Sequence, residues 1–108
     1  MARDYRKLQI YVLSYAFLKR LYKDVLPFLP KAEEYNVTSQ LRRAATSVVL
    51  NIVEGAALRS NKAFLRHLQI AYGSAKESEV LLNLCMDLDY IDRALFDSLD
   101  GSFEELKA

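Results

Sequence analysis

The sequence predicts an all-α domain, an antiparallel up-and-down four-helix bundle, on three observations. Apolar residues recur at three- and four-residue spacing in four separate segments, the periodicity of helices that bury one face. Only three glycines and two prolines occur in 108 residues, too few turn formers for a β-rich chain. The connections between the periodic segments are short, which favours helices packed beside their sequence neighbours. A chain of this length builds one core, so residues 1–108 are expected to form a single domain.

The first segment runs from about Tyr5 to Leu26, with Asp4 placed to cap it. Leu8, Tyr11, Val12, Tyr15, Tyr22 and Leu26 form one apolar stripe, and Ile10, Phe17 and Leu21 a second. The spacing of Tyr5, Tyr11, Tyr15 and Tyr22 predicts core packing rather than stacking on nucleobases. Pro27 and Pro30 end the helix, because proline removes a backbone donor and clashes with the preceding turn. Residues 31–37 then form a polar connection.

The second helix spans Thr38 to Ser60, with Thr38 or Ser39 as its cap. Leu41, Ala44, Ala45, Val48, Ile52 and Ala56 make its core face, and Gln40, Arg43, Ser47, Asn51 and Glu54 a polar stripe on the far side. Leu50 and Val53 lie between the two. Apolar character on so many sides suits a helix that also meets another subunit.

Ser60 is expected to cap a third helix over about Asn61 to Leu88. Its apolar stripes are Phe64, Leu68, Ala71, Ala75, Leu82 and Met86, and Ala63, Ile70, Leu81 and Leu88. Gly73 and Ser74 sit mid-helix, where glycine alone costs roughly 1 kcal/mol, so a close backbone approach by a neighbour is expected there. Residues 89–92 turn the chain, and Asp92 caps a short acidic helix from about Arg93 to Lys107 that Gly101 is placed to break.

Charge is unevenly spread although the net value is only +1. Residues 1–76 carry thirteen Lys and Arg against five Asp and Glu, and residues 77–108 carry two against nine. Such asymmetry fits either a polyanion on the basic part or pairing between copies. The lone Cys85 makes no internal disulfide, no stretch reaches the ~18 apolar residues of a membrane span, and the N-terminal segment has no signal-peptide core. A cytoplasmic protein without membrane contact is expected.

The residues hold no catalytic constellation. His67, the only histidine, lacks the glutamate three residues earlier that a di-metal bundle uses, and Cys85 borders an apolar stripe with no base assigned to it. His67 is read as a core-edge or interface residue and Cys85 as a buried one. No cofactor or metal is expected, and no enzyme activity. Asn51 and Glu54 cost several kcal/mol if covered without partners. They are read as polar pins of packing, Glu54 paired with an arginine such as Arg43, Arg59 or Arg66 of its own or a neighbouring subunit, and Gly55, Gly73 and Ser74 join them as candidates for an oligomer interface. Lys19, Arg20, Lys23, Arg42, Arg43, Arg59, Lys62 and Arg66 are the candidate nucleic-acid-binding residues, since phosphate contact needs exposed cations.

The run SQLRRAATSVVLNIVEG, preceded by DYRKLQIY and followed by RSNKAFLRHLQIAYGSAKESEVLLNL, resembles the four-helix-bundle proteins encoded in the intervening sequences of bacterial 23S ribosomal RNA genes. That family includes the accessory variability determinants of diversity-generating retroelements. The resemblance covers Asp4 to Ile91 and rests on Arg42, Arg43, Asn51, Glu54, Gly55, Arg59, Ser60, Phe64, Gly73, Ser74 and Glu77. It implies a bundle that assembles into a ring-shaped homopentamer and, in the retroelement branch, association with a reverse transcriptase and with RNA or DNA. The chain departs from the family in having Val48-Val49-Leu50 where an Ile-Pro pair is common, which leaves the second helix straighter. The resemblance and the charges together predict a nucleic-acid-associated adaptor. The alternative is a structural scaffold that assembles with itself and binds a protein partner.

Overall fold

Two of the helices begin by the same chemistry. The Ser60 hydroxyl accepts the Ala63 N–H at 3.2 Å and the Asp92 carboxylate accepts the Leu95 N–H at 2.8 Å, each satisfying a donor that a helix start leaves unpaired. A computed structural model describes the backbone of residues 2–107 and the side chains of residues 2–101. Its four α-helices are α1 (Gln9–Arg20), α2 (Val37–Ala57), α3 (Asn61–Asp87) and α4 (Arg93–Lys107), with no strand among the described residues. They pack as a four-helix bundle 46 × 25 × 19 Å in extent.

The N-terminal segment departs from a single long helix. Asp4 caps a 3-10 turn, Tyr5–Lys7, through the Arg6 N–H, and Leu8 in extended conformation separates that turn from α1. At its other end α1 continues into a π-helical turn, Leu21–Val25, where the Leu26 N–H reaches the Leu21 carbonyl, and then into a 3-10 turn, Leu26–Phe28. Pro27 supplies the reason, because it has no N–H for the regular α-helical bond and the preceding turn must rearrange.

The core of α1 lies on a different stripe from the tyrosines. Ser14, Phe17, Leu21 and Val25 are buried, whereas Val12, Tyr15 and Tyr22 are exposed. Core packing of the tyrosines is thus overturned for Tyr15 and Tyr22. Tyr11, half-buried, packs on the smaller core cluster and also stacks on Tyr15 at 5.6 Å and meets the Tyr5 ring edge-on at 4.9 Å. Phenols tolerate that half-wet position. Ser14 is tolerated inside because its hydroxyl donates to the Tyr11 carbonyl at 3.1 Å.

Along α2 every residue of the expected core face is buried, joined by Val37, Val49 and Gly55. The helix starts one residue before Thr38, and neither Thr38 nor Ser39 caps it. Helix α3 runs as expected, although Ile70 and Leu88 of its second stripe are exposed. Gly101 does not interrupt α4, which continues to Lys107.

Two hydrophobic clusters result. The larger joins Phe17, Leu21 and Val25 to Val37, Leu41, Leu82, Cys85, Ile91 and Leu99 from the other elements; the smaller gathers Val48, Ile52 and Ala71 under Leu8, Ile10 and Tyr11. No helix among the described residues is long and apolar enough to cross a membrane.

Beside the larger cluster, the Tyr90 hydroxyl donates to Glu33 Oε2 at 2.9 Å and ties the link before α4 to the link before α2. Burial, and after it the Glu33 charge, push the Cys85 thiol from 9.0 to about 11. The bond to Glu33, then burial and the charges of Glu33 and Cys85, raise the Tyr90 phenol above its usual value of 10.0. Folding therefore favours the neutral form of both groups, so their contribution is complete below the unfolded values and is lost as pH rises through the folded ones. Thermal melting followed by circular dichroism should show stability falling from pH 9.0 toward about 11. Cys85→Ala should make that fall shallower while lowering stability at neutral pH; an unchanged slope would contradict the assignment.

Candidate functional site

The polar stripe of α2 does not face bulk solvent along its length. It meets α3 across a three-residue link, and the two helices close as a hairpin in which Gly55 meets Phe64 and His67, Asn51 meets His67, and Ser47 meets Ser74. Gly55 sets the spacing. A Cβ there would lie 2.7 Å from His67 Cβ and 3.1 Å from Phe64 Cδ1, so only a residue without a side chain allows the helices to approach this closely.

That approach builds a ladder of hydrogen bonds. Asn51 Nδ2 donates to the Ser47 carbonyl at 2.9 Å and lies 3.1 Å from Ser47 Oγ. Ser74 Oγ donates to Ser47 Oγ at 2.9 Å, and His67 Nδ1 stands 3.1 Å from Asn51 Oδ1. Ser78, fully buried, donates to the Ser74 carbonyl at 3.0 Å. An amide and hydroxyls between two helices are stable here because each finds a partner, and the partners fix the register of α2 on α3.

Glu54 differs from expectation. Its side chain is 63% exposed, and the basic group beside it in the chain is the His67 imidazole, Nδ1 at 3.9 Å, rather than Arg43, Arg59 or Arg66. In the single chain it is therefore a rim residue of the seam and not a buried pin. At Gly73 a built Cβ meets nothing within 4 Å, so no neighbour among the described residues of the chain accounts for the glycine.

On the outer side of the same stripe lies an open groove of about 530 Å³, lined by Tyr22, Ser39, Arg42, Arg43, Thr46, Ser47, Leu50, Asn51 and Glu54. Two arginines stand toward one end and Glu54 toward the other, with the exposed Leu50 between. The sequence did not associate Tyr22 with these arginines, because the contact depends on how the π-turn of α1 is set against α2.

The candidate cations separate into groups. Lys19, Arg20 and Lys23 lie on α1 and its π-turn, Arg42 and Arg43 at the groove, and Arg59, Lys62 and Arg66 at the hairpin. The last two groups are roughly 20 Å apart along α2 at 1.5 Å per residue. Arg20 bonds to Asp24 at 3.4 Å and to Ser98 Oγ at 2.7 Å. The other ion pairs of the described residues, His67 with Glu54, Lys76 with Glu79 and Arg93 with Asp97, involve none of the remaining seven. Those seven cations face outward without a carboxylate partner among the described residues. Among the described residues, no three His, Cys, Asp or Glu side chains come together as metal ligands.

Fold and seam together define a small helical bundle with a hydrogen-bonded hairpin and exposed cations in separate groups along its surface. Residues 6–108 match the model of the 23S rRNA-intervening sequence protein family, and the chain belongs to that family. Among solved structures it is similar to a protein of unknown function from the S23 ribosomal protein family of Bacteroides thetaiotaomicron, with 28% identity over 90% of each chain and a TM-score of 0.81. No match is found among the curated proteins.

The role of Gly55 is measurable by urea denaturation. Gly55→Ala should destabilise the fold by about 1–3 kcal/mol through overpacking against His67. Gly101→Ala, where a Cβ meets nothing, should stabilise it by roughly 0.5–1 kcal/mol. Shifts of the same sign in both variants would remove the close-approach argument.

Proposed function

We propose that the protein is a non-enzymatic, self-assembling bundle that acts as a nucleic-acid-associated accessory protein in the cytoplasm. The observation that carries this reading is the set of outward cations without carboxylate partners among the described residues: Lys19, Lys23, Arg42, Arg43, Arg59, Lys62 and Arg66. Internal salt bridges do not account for them, and cations held this way are available to phosphates. The names of the family and of the similar S23 structure, which refer to ribosomal RNA genes and to ribosomal proteins, agree with a nucleic-acid setting. RNA or DNA is then the ligand, and a reverse transcriptase bound to it is the protein partner.

Assembly is part of the same reading, with helices in antiparallel up-and-down order and copies arranged as a ring, a homopentamer. Leu50 on α2 and Ile70, Leu84 and Leu88 on one stripe of α3 are exposed, and Gly73 lies one turn from Ile70 with nothing in the chain against it. Glycine in an exposed helix interior costs stability, and a neighbouring copy seated against it gives that cost a reason. The same residues favour the second reading, a scaffold that assembles and binds a protein partner without touching nucleic acid.

Two measurements separate these readings. Light scattering should give a mass several times the 12.4 kDa of one chain; a monomer would contradict both. Filter binding of structured RNA at low salt should reveal micromolar or tighter affinity that Arg42→Ala combined with Arg43→Ala weakens and that falls steeply as salt rises. Absence of binding at low salt would leave only the scaffold.

A further inference from the structure

The N-terminal residues 3–7 drew no functional reading from the sequence, yet the fold carries them to the α2–α3 hairpin. The Arg3 N–H donates to the Ala56 carbonyl at 2.8 Å, its guanidinium lies 4.2 Å above the Phe64 ring, and a terminal nitrogen bonds Asn61 Oδ1. The 3-10 turn that follows packs on α2. Arg3 therefore staples the start of the chain across the end of one helix and the start of the next. The strap brings Arg3, Arg6 and Lys7 to the end of the molecule that already holds Arg59, Lys62 and Arg66.

Charge at this end is nearly all of one sign. Arg6, Lys7, Arg59, Lys62 and Arg66 are exposed, and none of the six cations has a carboxylate partner among the described residues. The nearby acids are Asp4, which is engaged in capping the Arg6 N–H, and Glu54 beside His67. At the far end, where Tyr90 meets Glu33, the chain carries Glu33, Glu34, Asp87, Asp89 and Asp92 against Lys31 and Arg93 in the same segments. The long axis of the bundle is thus an electrostatic axis, with its positive pole at the hairpin. A cationic surface of this kind attracts a polyanion over a Debye length of about 10 Å at 0.1 M salt, and attracts the fewer acidic charges of another copy less strongly.

We infer that the hairpin end, strap included, is the surface that meets the phosphodiester backbone of a nucleic acid, and that it contributes more to binding than the arginines of the groove. Recognition there is by charge. No side chain of the six is held in the paired geometry that reads base edges, so binding is indifferent to sequence. This inference rests on the nucleic-acid reading of the protein and assigns the place of contact within it.

The test compares two variants of the full chain against one synthetic stem-loop RNA and the DNA stem-loop of the same sequence, by fluorescence anisotropy across a salt series. The hairpin-end variant carries Arg6→Gln, Lys7→Gln, Arg59→Gln, Lys62→Gln and Arg66→Gln, leaving Arg3 as the staple. The comparison variant carries Lys19→Gln, Lys23→Gln, Arg42→Gln and Arg43→Gln. All of these side chains are exposed, and circular dichroism confirms that each variant is folded before binding is read. The hairpin-end variant should bind on the order of tenfold or more weakly, with the slope of log affinity against log salt reduced by ~1 for each lost phosphate contact. The comparison variant should lose less, and a scrambled stem sequence should bind as the original does. Equal affinity of the hairpin-end variant and the unaltered chain, or a larger loss in the comparison variant, overturns the inference while leaving the nucleic-acid reading in place. No binding by the unaltered chain at low salt overturns both.

Discussion

The contact of Gly55 with the side chains of His67 and Phe64 is the constraint on which the rest of the structure depends. It draws α2 and α3 together at the closed end of their hairpin, and everything along the seam follows from that spacing. With the helices this close, His67 reaches Asn51, and Ser74 reaches Ser47. With Phe64 held against α2, its ring is in place to receive the Arg3 guanidinium. A wider hairpin would lose the polar ladder and the strap together. The apolar residues supply most of the stabilisation, as they do in any bundle, but they do not specify register with comparable sharpness.

The polar residues of α2 divide into two roles that one stripe on a helical wheel does not separate. Ser47 and Asn51 turn toward α3 and are satisfied there, so their chemistry is used up in packing. Arg42 and Arg43 turn toward the open groove and remain free of ion pairs among the described residues. Glu54 sits at the border, near His67 and also at the groove. A residue whose hydrogen bonds are complete within the chain has little left for a ligand, whereas an unpaired cation in water has its full charge available. This division moves the functional interest of the molecule from the middle of its central helix to the ends.

Much of the fold was legible in the sequence, and the reasons are specific. The core face of α2 follows directly from 3.6-residue periodicity, and the Ser60 and Asp92 caps follow from local chemistry that needs no tertiary information. Helix α1 was less legible because both of its stripes are apolar. The tyrosines made the wetter stripe look like core, and the displaced π-turn before Pro27 has no signature beyond the proline itself. Among the described residues of one chain no arginine reaches Glu54, because the hairpin geometry presents His67 first, and that geometry is not local to the glutamate. Pairing positions symmetrically about the link at residues 58–60 places Asn51 opposite His67 and Ser47 within a helical turn of Ser74. The strap was not legible at all, since nothing local to Arg3 announces that it will meet Phe64, sixty residues on.

For a nucleic acid proposed to lie on the positive pole of the bundle, the most direct measurement is ultraviolet cross-linking of the 108-residue chain to a bound RNA stem-loop, with the modified peptides mapped by mass spectrometry. Cross-links concentrated in residues 3–7 and 59–66 are the expected result. Cross-links concentrated instead in the acidic segment, residues 87–97, would contradict it.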